Sequence, residues 1–236
     1  MKKLDLFSIT ISAIICLIVY LTSNSIFVSL GVMVVYILYY FLLARKKILN
    51  YVDELERAHG CFHFINGFMV TMSTKESLDE AFQSGVRNPS KSLQEMVEQM
   101  KDMSSIEKVK YLMKYFHFSV YHMFINVVDI YLEQGGDIFK IGDTLYQESS
   151  RIEETLNESV SVSKKKLAEF AILWSLAIVV ILFMRFALHD FYFKMLKSII
   201  FMILLVVFFL IILASIHIFI VKYSSLPIQK EEVKDE

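Results

Sequence analysis

The sequence predicts an all-α integral membrane protein, with two N-terminal and two C-terminal transmembrane helices flanking a cytoplasmic helical bundle. Three observations carry that expectation. Hydrophobic residues make up 56% of the 236 and the mean hydropathy is +0.52, whereas an average soluble protein is about 45–50% apolar. The excess gathers in four long runs, two toward each end of the chain. Only seven Gly and two Pro are present. That is too few turn formers for an all-β protein and too few for a disordered or collagen-like chain.

The runs set the domain organisation: a hairpin of two spans at 1–47, a helical domain at 48–166, a second hairpin at 167–223 and a polar tail at 224–236. A helix needs about 20 apolar residues to cross a ~30 Å hydrocarbon core. The second run, 26–44, and the fourth, 198–221, meet this. The first, 6–21, and the third, 170–184 (extendable to Leu188 by including Arg185), fall short. They rely on bilayer thinning or on snorkelling of basic side chains. The link Thr22-Ser23-Asn24-Ser25 makes a tight hairpin and is no small-residue cleavage site. The first run therefore reads as a span and not as a removed signal peptide.

Lysine and arginine next to the spans set orientation. They stand at Lys2 and Lys3, at 45–47 and at 164–166, and none lies in the 22–25 link. This predicts a multi-pass protein of the cell (inner, cytoplasmic) membrane, with both termini and the central domain in the cytoplasm. The link 185–197 falls outside, where Arg185, Lys194 and Lys197 oppose the trend and Phe191, Tyr192 and Phe193 suit an interfacial segment.

From 48 to 163 the chain carries ten Lys/Arg against eighteen Asp/Glu, a formal −8. An acidic domain repels phosphates, which excludes nucleic acid as a partner. The segment reads as successive helices. The first runs over 49–72. Ser73, with Glu76 three residues on, has the pattern of a capping box opening the next, which stops at Gly85. Asn88-Pro89-Ser90 starts another, with Leu93, Met96, Val97 and Met100 at helical spacing. Ser104 or Ser105 caps the one after, with Glu107 in its first turn. Gly135 and Gly136 form a structural turn. A final helix from Asp137 carries Ile138, Ile141, Leu145, Ile152 and Leu156 on one face and runs toward the third apolar run. Residues 111–132 are also rich in apolar side chains, but Lys114, His117, His122 and Asp129 speak for a buried core helix rather than a fifth span.

Chemistry-bearing patterns are few. His59 and His63 share a helical face, but Cys61 points elsewhere and no Glu follows His59 as metalloprotease spacing requires. His117 and His122 are five apart, a poor match to one face. His217 lies inside the fourth run, where an ionisable residue draws attention; a neutral imidazole bonded to a neighbouring helix accounts for it. Glu169 is placed to pair with Lys165 or Lys166. No phosphate-binding glycine loop and no nucleophile elbow occurs. The expectation is a non-enzyme with no catalytic, cofactor-binding or metal site. Glu153, Glu154 and Glu158 are candidate docking residues for a basic partner, because complementary fields steer association.

The order of features resembles the inner-membrane platform proteins of the tight-adherence (Tad/Flp) pilus machinery, in the wider type II secretion F-domain family. Ser77-Leu78-Asp79-Glu80-Ala81-Phe82 is similar to the family's "s-L-x-E-A-L" helix start. Residues 131–138 (Tyr-Leu-Glu-Gln-Gly-Gly-Asp-Ile) resemble its "E-x-G-G-x-L" break, and residues 141–166 its basic-flanked exit helix. The chain departs from the family at 72–75, where Met-Ser-Thr-Lys replaces a usual glycine. The resemblance implies a scaffold coupling a hexameric secretion ATPase to pilin-like subunits in the bilayer. It also implies a second platform homologue as partner and a homo- or hetero-oligomer. Two readings compete: a small membrane transporter, for which polar groups at mid-membrane are sparse, and a membrane-anchored adaptor.

Overall fold

A computed structural model describes residues 2–87, 89–224 and 226. Among these the chain contains no strand. Its helices are α1 (Lys2–Ser23), α2 (Ile26–Tyr39), α3 (Arg45–Lys75), α4 (Leu78–Gly85), α5 (Lys91–Gln99), α6 (Ser105–Tyr111), α7 (Ser119–Gln134), α8 (Ile138–Ile141), α9 (Asp143–Ala187), α10 (His189–Leu196) and α11 (Ile199–Tyr223). A π-helical turn, Tyr40–Ala44, joins α2 to α3, and a 3₁₀ turn, Leu112–Lys114, follows α6. Two compact units result: an apolar unit of residues 1–51 and 162–225, and a central unit built on residues 52–161. The chain passes from one to the other inside α3 and inside α9, not through loops.

Among the described residues three helices are long and apolar enough to cross a membrane: the continuous Ile26–Lys75, α9 and α11. By length and composition the chain reads as a membrane protein. The apolar stretch of α1, Ser8–Ser23, is shorter. It turns into α2 through Asn24 at φ 51° and Ser25, and the two helices pack side by side. With no water in a bilayer, polar groups need internal partners, and Thr22, Ser23, Ser29 and Tyr36 have them. Thr22 Oγ1 donates to the Ile18 carbonyl at 3.0 Å and Ser23 Oγ to the Val19 carbonyl at 2.8 Å. Ser29 Oγ donates across the hairpin to the Cys16 carbonyl at 2.7 Å. Tyr36 Oη donates to the Phe209 carbonyl on α11 at 2.8 Å. Around these bonds Val19, Val32, Tyr36, Phe209 and Ile212 form a small core.

The central unit folds around one aromatic side chain. Phe64, fully buried on α3, has the rings of Phe68, Phe82, Phe116, Tyr121 and Phe124 within 6.0 Å of its own centroid. The approach of α4 to this ring is set by two glycines. A Cβ at Gly67 would meet the Ser84 carbonyl oxygen at 3.0 Å and Gly85 Cα at 3.2 Å. One at Gly85 would meet Phe64 Cδ2 at 2.7 Å and the Phe64 carbonyl oxygen at 3.0 Å. Residues 111–132 are no single helix: α6 ends at Tyr111, the 3₁₀ turn intervenes, and α7 begins at Ser119. Phe116, Tyr121, Phe124 and Val128 enter the core, while Asp129 pairs with Lys110 at 2.9 Å on the surface. Of the charges that argued against a fifth span, Lys114 lies in the 3₁₀ turn and Asp129 on the outer side of α7.

Several boundaries differ from expectation. Ser73 does not cap a helix. The apolar stripe Phe68, Met69, Met72 keeps α3 helical to Lys75, and Ser73 Oγ turns back to the Val70 carbonyl at 2.9 Å. The cap is Ser77, which accepts from Glu80 N. Both serines precede a glutamate by three residues, and core packing decides between them. α4 does end at Gly85, as expected, but without a left-handed cap, since the glycines with positive φ are Gly135 and Gly136, at 67° and 101°. Gly85 is there for the close approach to Phe64. The helix expected from Asp137 breaks at Gly142, a residue about 1 kcal/mol less favourable than Ala inside a helix. The short α8, capped by Asp137 Oδ1 on Phe139 N, precedes α9. Ser90 caps α5 and Ser104 forms a capping box with Glu107, as expected. Asn88 lies outside the described residues.

Gly85→Ala is expected to cost about 1–3 kcal/mol through overpacking against Phe64. Gly31→Ala, where nothing lies within 4 Å of a Cβ, should cost nothing. Hydrogen exchange of the full chain in detergent should show the loss in α3 and α4 and leave α1 and α2 protected. The same measurement separates the two serines: Ser77→Ala should weaken α4 by about 1 kcal/mol, and Ser73→Ala should leave it unchanged.

Candidate functional site

The expected turn at Gly135 and Gly136 is also the floor of a groove. Cα hydrogens alone permit the left-handed dihedrals there, so α7 stops at Gln134 and the chain re-enters at Asp137. An open groove of about 640 Å³ lies over this break, lined by Met72, Ser73 and Glu76 from the end of α3 and by Tyr131, Gly135, Gly136 and Phe139 among others. Glu76 holds φ 51°, so left-handed backbone forms both the floor of the groove and its α3 rim. The α3 rim lies some sixty positions earlier in the chain than the glycines, and only the fold joins them. The repeated S-x-x-E pattern at 73–80 was the one local sign that something unusual happens there.

The acidic residues of α9 sit apart from this groove's lining. Leu145, Ser149 and Leu156 are buried and Ile152 packs beside them, which gives α9 one inward stripe. Glu154 and Glu158 are exposed and Glu153 is half-buried. None of the three forms an ion pair among the described residues, whereas Glu148 is engaged by Arg151 at 2.7 Å. That guanidinium holds the Glu148 carboxyl below its usual range. The surface at 154–158 is thus an unneutralised anionic strip, of the charge that attracts a basic partner.

The remaining patterns are structural. Cys61 is fully buried and burial pushes its thiol well up, which keeps it protonated and unreactive. His59 and His63 face outward, and His63 Nε2 donates to the Arg87 carbonyl at 3.2 Å. In the apolar unit His217 Nδ1 lies 3.2 Å from Tyr39 Oη, ring edge to face; the intramembrane histidine is bonded to a neighbouring helix. Lys166 pairs with Glu169 at 2.8 Å.

One feature lacked any sequence signal. The π-turn Tyr40–Ala44 precedes Arg45, whose Nε donates to Asp5 Oδ1 at 3.0 Å, while Tyr40 Oη donates to the same oxygen at 3.0 Å. A π-turn adds a residue to the helical repeat and so rotates the helix beyond it. Here the first residue of that turn and the residue just after it supply both donors to Asp5, closing the open end of the α1–α2 hairpin. The hydrogen bonds from Arg45 and Tyr40 hold the Asp5 carboxyl below its ordinary range.

Comparison of the chain with protein-family models, with curated proteins and with solved structures finds no match.

A carboxyl whose folded-state pKa is depressed contributes stability above its unfolded pKa, near 3.9 for Asp, and loses it as pH falls through the lower folded value. The wild-type chain should therefore unfold at a higher temperature than Asp5→Asn at pH 6, and the gap should close as the pH drops well below about 4. Thermal unfolding in detergent from pH 3 to 7 measures this.

Proposed function

We propose that this chain is a non-enzymatic platform of the inner (cytoplasmic) membrane in a type IV-like, Tad/Flp-type pilus or related secretion machine. It couples a hexameric secretion ATPase on the cytoplasmic side to pilin-like subunits in the bilayer. In this reading four helices span, both termini and the central unit face the cytoplasm, and the platform works as an oligomer beside a second homologue. The reading draws on the resemblance at 77–82 and 131–138, on the lysine and arginine clusters beside the spans, and on the acidic charge of the central segment.

The observation that carries it is α9. This uninterrupted 45-residue helix starts on the core of the central unit through Leu145 and Leu156 and ends as an apolar helix fit to span. A helix rises about 1.5 Å per residue and is stiff over such a length. Force applied to its first half is transmitted to its second half as tilt or rotation, without any chemistry in this chain. The anionic strip at Glu153, Glu154 and Glu158 is the natural grip for a basic motor surface.

The transporter reading is less well supported, because the polar side chains of the apolar unit are spent on neighbouring helices: Tyr36 on Phe209, Ser29 on Cys16, Tyr39 on His217.

A photo-cross-linker at Glu154 or Glu158 should capture the ATPase in cells, and Glu154→Lys with Glu158→Lys should reduce the yield several-fold. Inserting Gly-Gly-Gly after Ser161 should abolish assembly while leaving that cross-link and membrane insertion intact. Absence of the cross-link, or a reporter near Ser90 surfacing on the far side of the membrane, overturns the proposal. Function preserved after replacing the apolar helices with an unrelated anchor favours the adaptor.

A further inference from the structure

The link between α9 and α11 is itself a helix. α9 ends at Ala187, α10 occupies His189–Leu196 and α11 starts at Ile199. Two helices apolar enough to cross a membrane hold α10 at a membrane face, with one or two residues of slack on each side. Around it Phe186 is 69% exposed, Leu188 50% and Phe191 57%. Large apolar side chains left in the open at headgroup depth are how an interfacial helix inserts.

The same stretch carries Arg185, His189, Lys194 and Lys197 against the single acid Asp190. Orientation does not explain these cations, since they oppose the bias set by the other clusters. Arg185 is the informative one. Its guanidinium carbon lies 5.6 Å from the centroid of the Phe193 ring, and Nη2 donates to Asn24 Oδ1 at 3.5 Å. Nη1 is buried and has no hydrogen-bond partner among the described residues. A charged donor shut away without an acceptor is costly. The dipole at the end of α9 favours a cation there but supplies no acceptor for Nη1. The site is also held in place: Tyr192, buried to 1%, donates its hydroxyl to the Thr22 carbonyl at 2.8 Å and so fastens α10 to the α1–α2 turn.

We propose that the end of α9 together with α10 binds the phosphate of an anionic membrane phospholipid. Arg185 turns its guanidinium from Asn24 and Phe193 to the phosphate oxygens and there gains the acceptor that Nη1 lacks within the chain. Lys194 and Lys197 supply attraction at the surface, and Phe186 and Phe191 lie among the acyl chains. The site acts whichever leaflet α10 faces and does not depend on the platform reading.

The full chain, purified in detergent, is titrated with phosphatidylglycerol and in parallel with phosphatidylcholine, and bound lipid is counted by native mass spectrometry. Phosphatidylglycerol should bind more tightly. Arg185→Gln should weaken it about tenfold, as loss of a charge-assisted bond does, with Arg185→Lys intermediate. Lys194→Gln with Lys197→Gln should weaken it about fivefold per cation, and phosphatidylcholine binding should not change. The basic cluster at 164–166 attracts anionic lipid in every variant alike, so the difference between chains is the readout. Phosphatidylglycerol affinity unchanged in these variants overturns the proposal, and so does displacement of the lipid by excess inorganic phosphate, which would mark a site for the free ion. If Arg185→Gln does not fold, the exposed lysine pair decides alone.

Discussion

One helix in this protein must satisfy two solvents. Over its first turns α9 behaves as a surface helix of a globular unit, with a single apolar stripe inward and charge outward. Past the lysines at 164–166 it is apolar on all sides, and its spanning window has no buried residue. A polypeptide solves both problems with the same backbone, because a helix bonds its own N–H and C=O groups and needs no external partner. Only the side-chain pattern changes along it. No loop is therefore needed between the central unit and the apolar unit, and none is present at either passage.

Each unit is organised by a different force. In the central unit burial does the work, and it converges on Phe64: five aromatic rings close around it, and α4 comes within reach because Gly67 and Gly85 have no Cβ. In the apolar unit, helices gain little from burial against one another when lipid is as apolar as leucine. Directed hydrogen bonds hold them instead. Ser29 reaches the backbone of α1, Tyr36 the backbone of α11, and Tyr39 the imidazole of His217. At one end of the hairpin Asp5 gathers Arg45 and Tyr40; at the other Tyr192 takes the Thr22 carbonyl. Each of these contacts joins segments distant in sequence, and most join separate helices.

The one buried thiol is silenced by its surroundings, His63 and His217 hydrogen-bond within their own units, and His59 faces solvent. To other molecules the chain presents an anionic strip, a groove over a glycine turn, a long helix with an apolar half, and the basic helix α10. These suit a part that is gripped, moved and embedded, in keeping with the proposed platform role.

Hydropathy and charge alone determined the class, the apolar runs, the acid excess of the middle, most helix caps and the break at Gly135 and Gly136. They could do so because these depend on neighbours within one or two turns. Tertiary structure decided the rest. Ser73 and Ser77 offer the same local signal, and only the burial of Met72 against the core extends α3 past the first. Gly85 does end α4, but the ring of Phe64, twenty-one positions away, is what requires a glycine there. The groove, the Asp5 clasp and the orphaned nitrogen of Arg185 each join residues from separate stretches of the chain. Hydropathy and helical period describe a residue by its neighbours along the chain, and these features are made by neighbours in space.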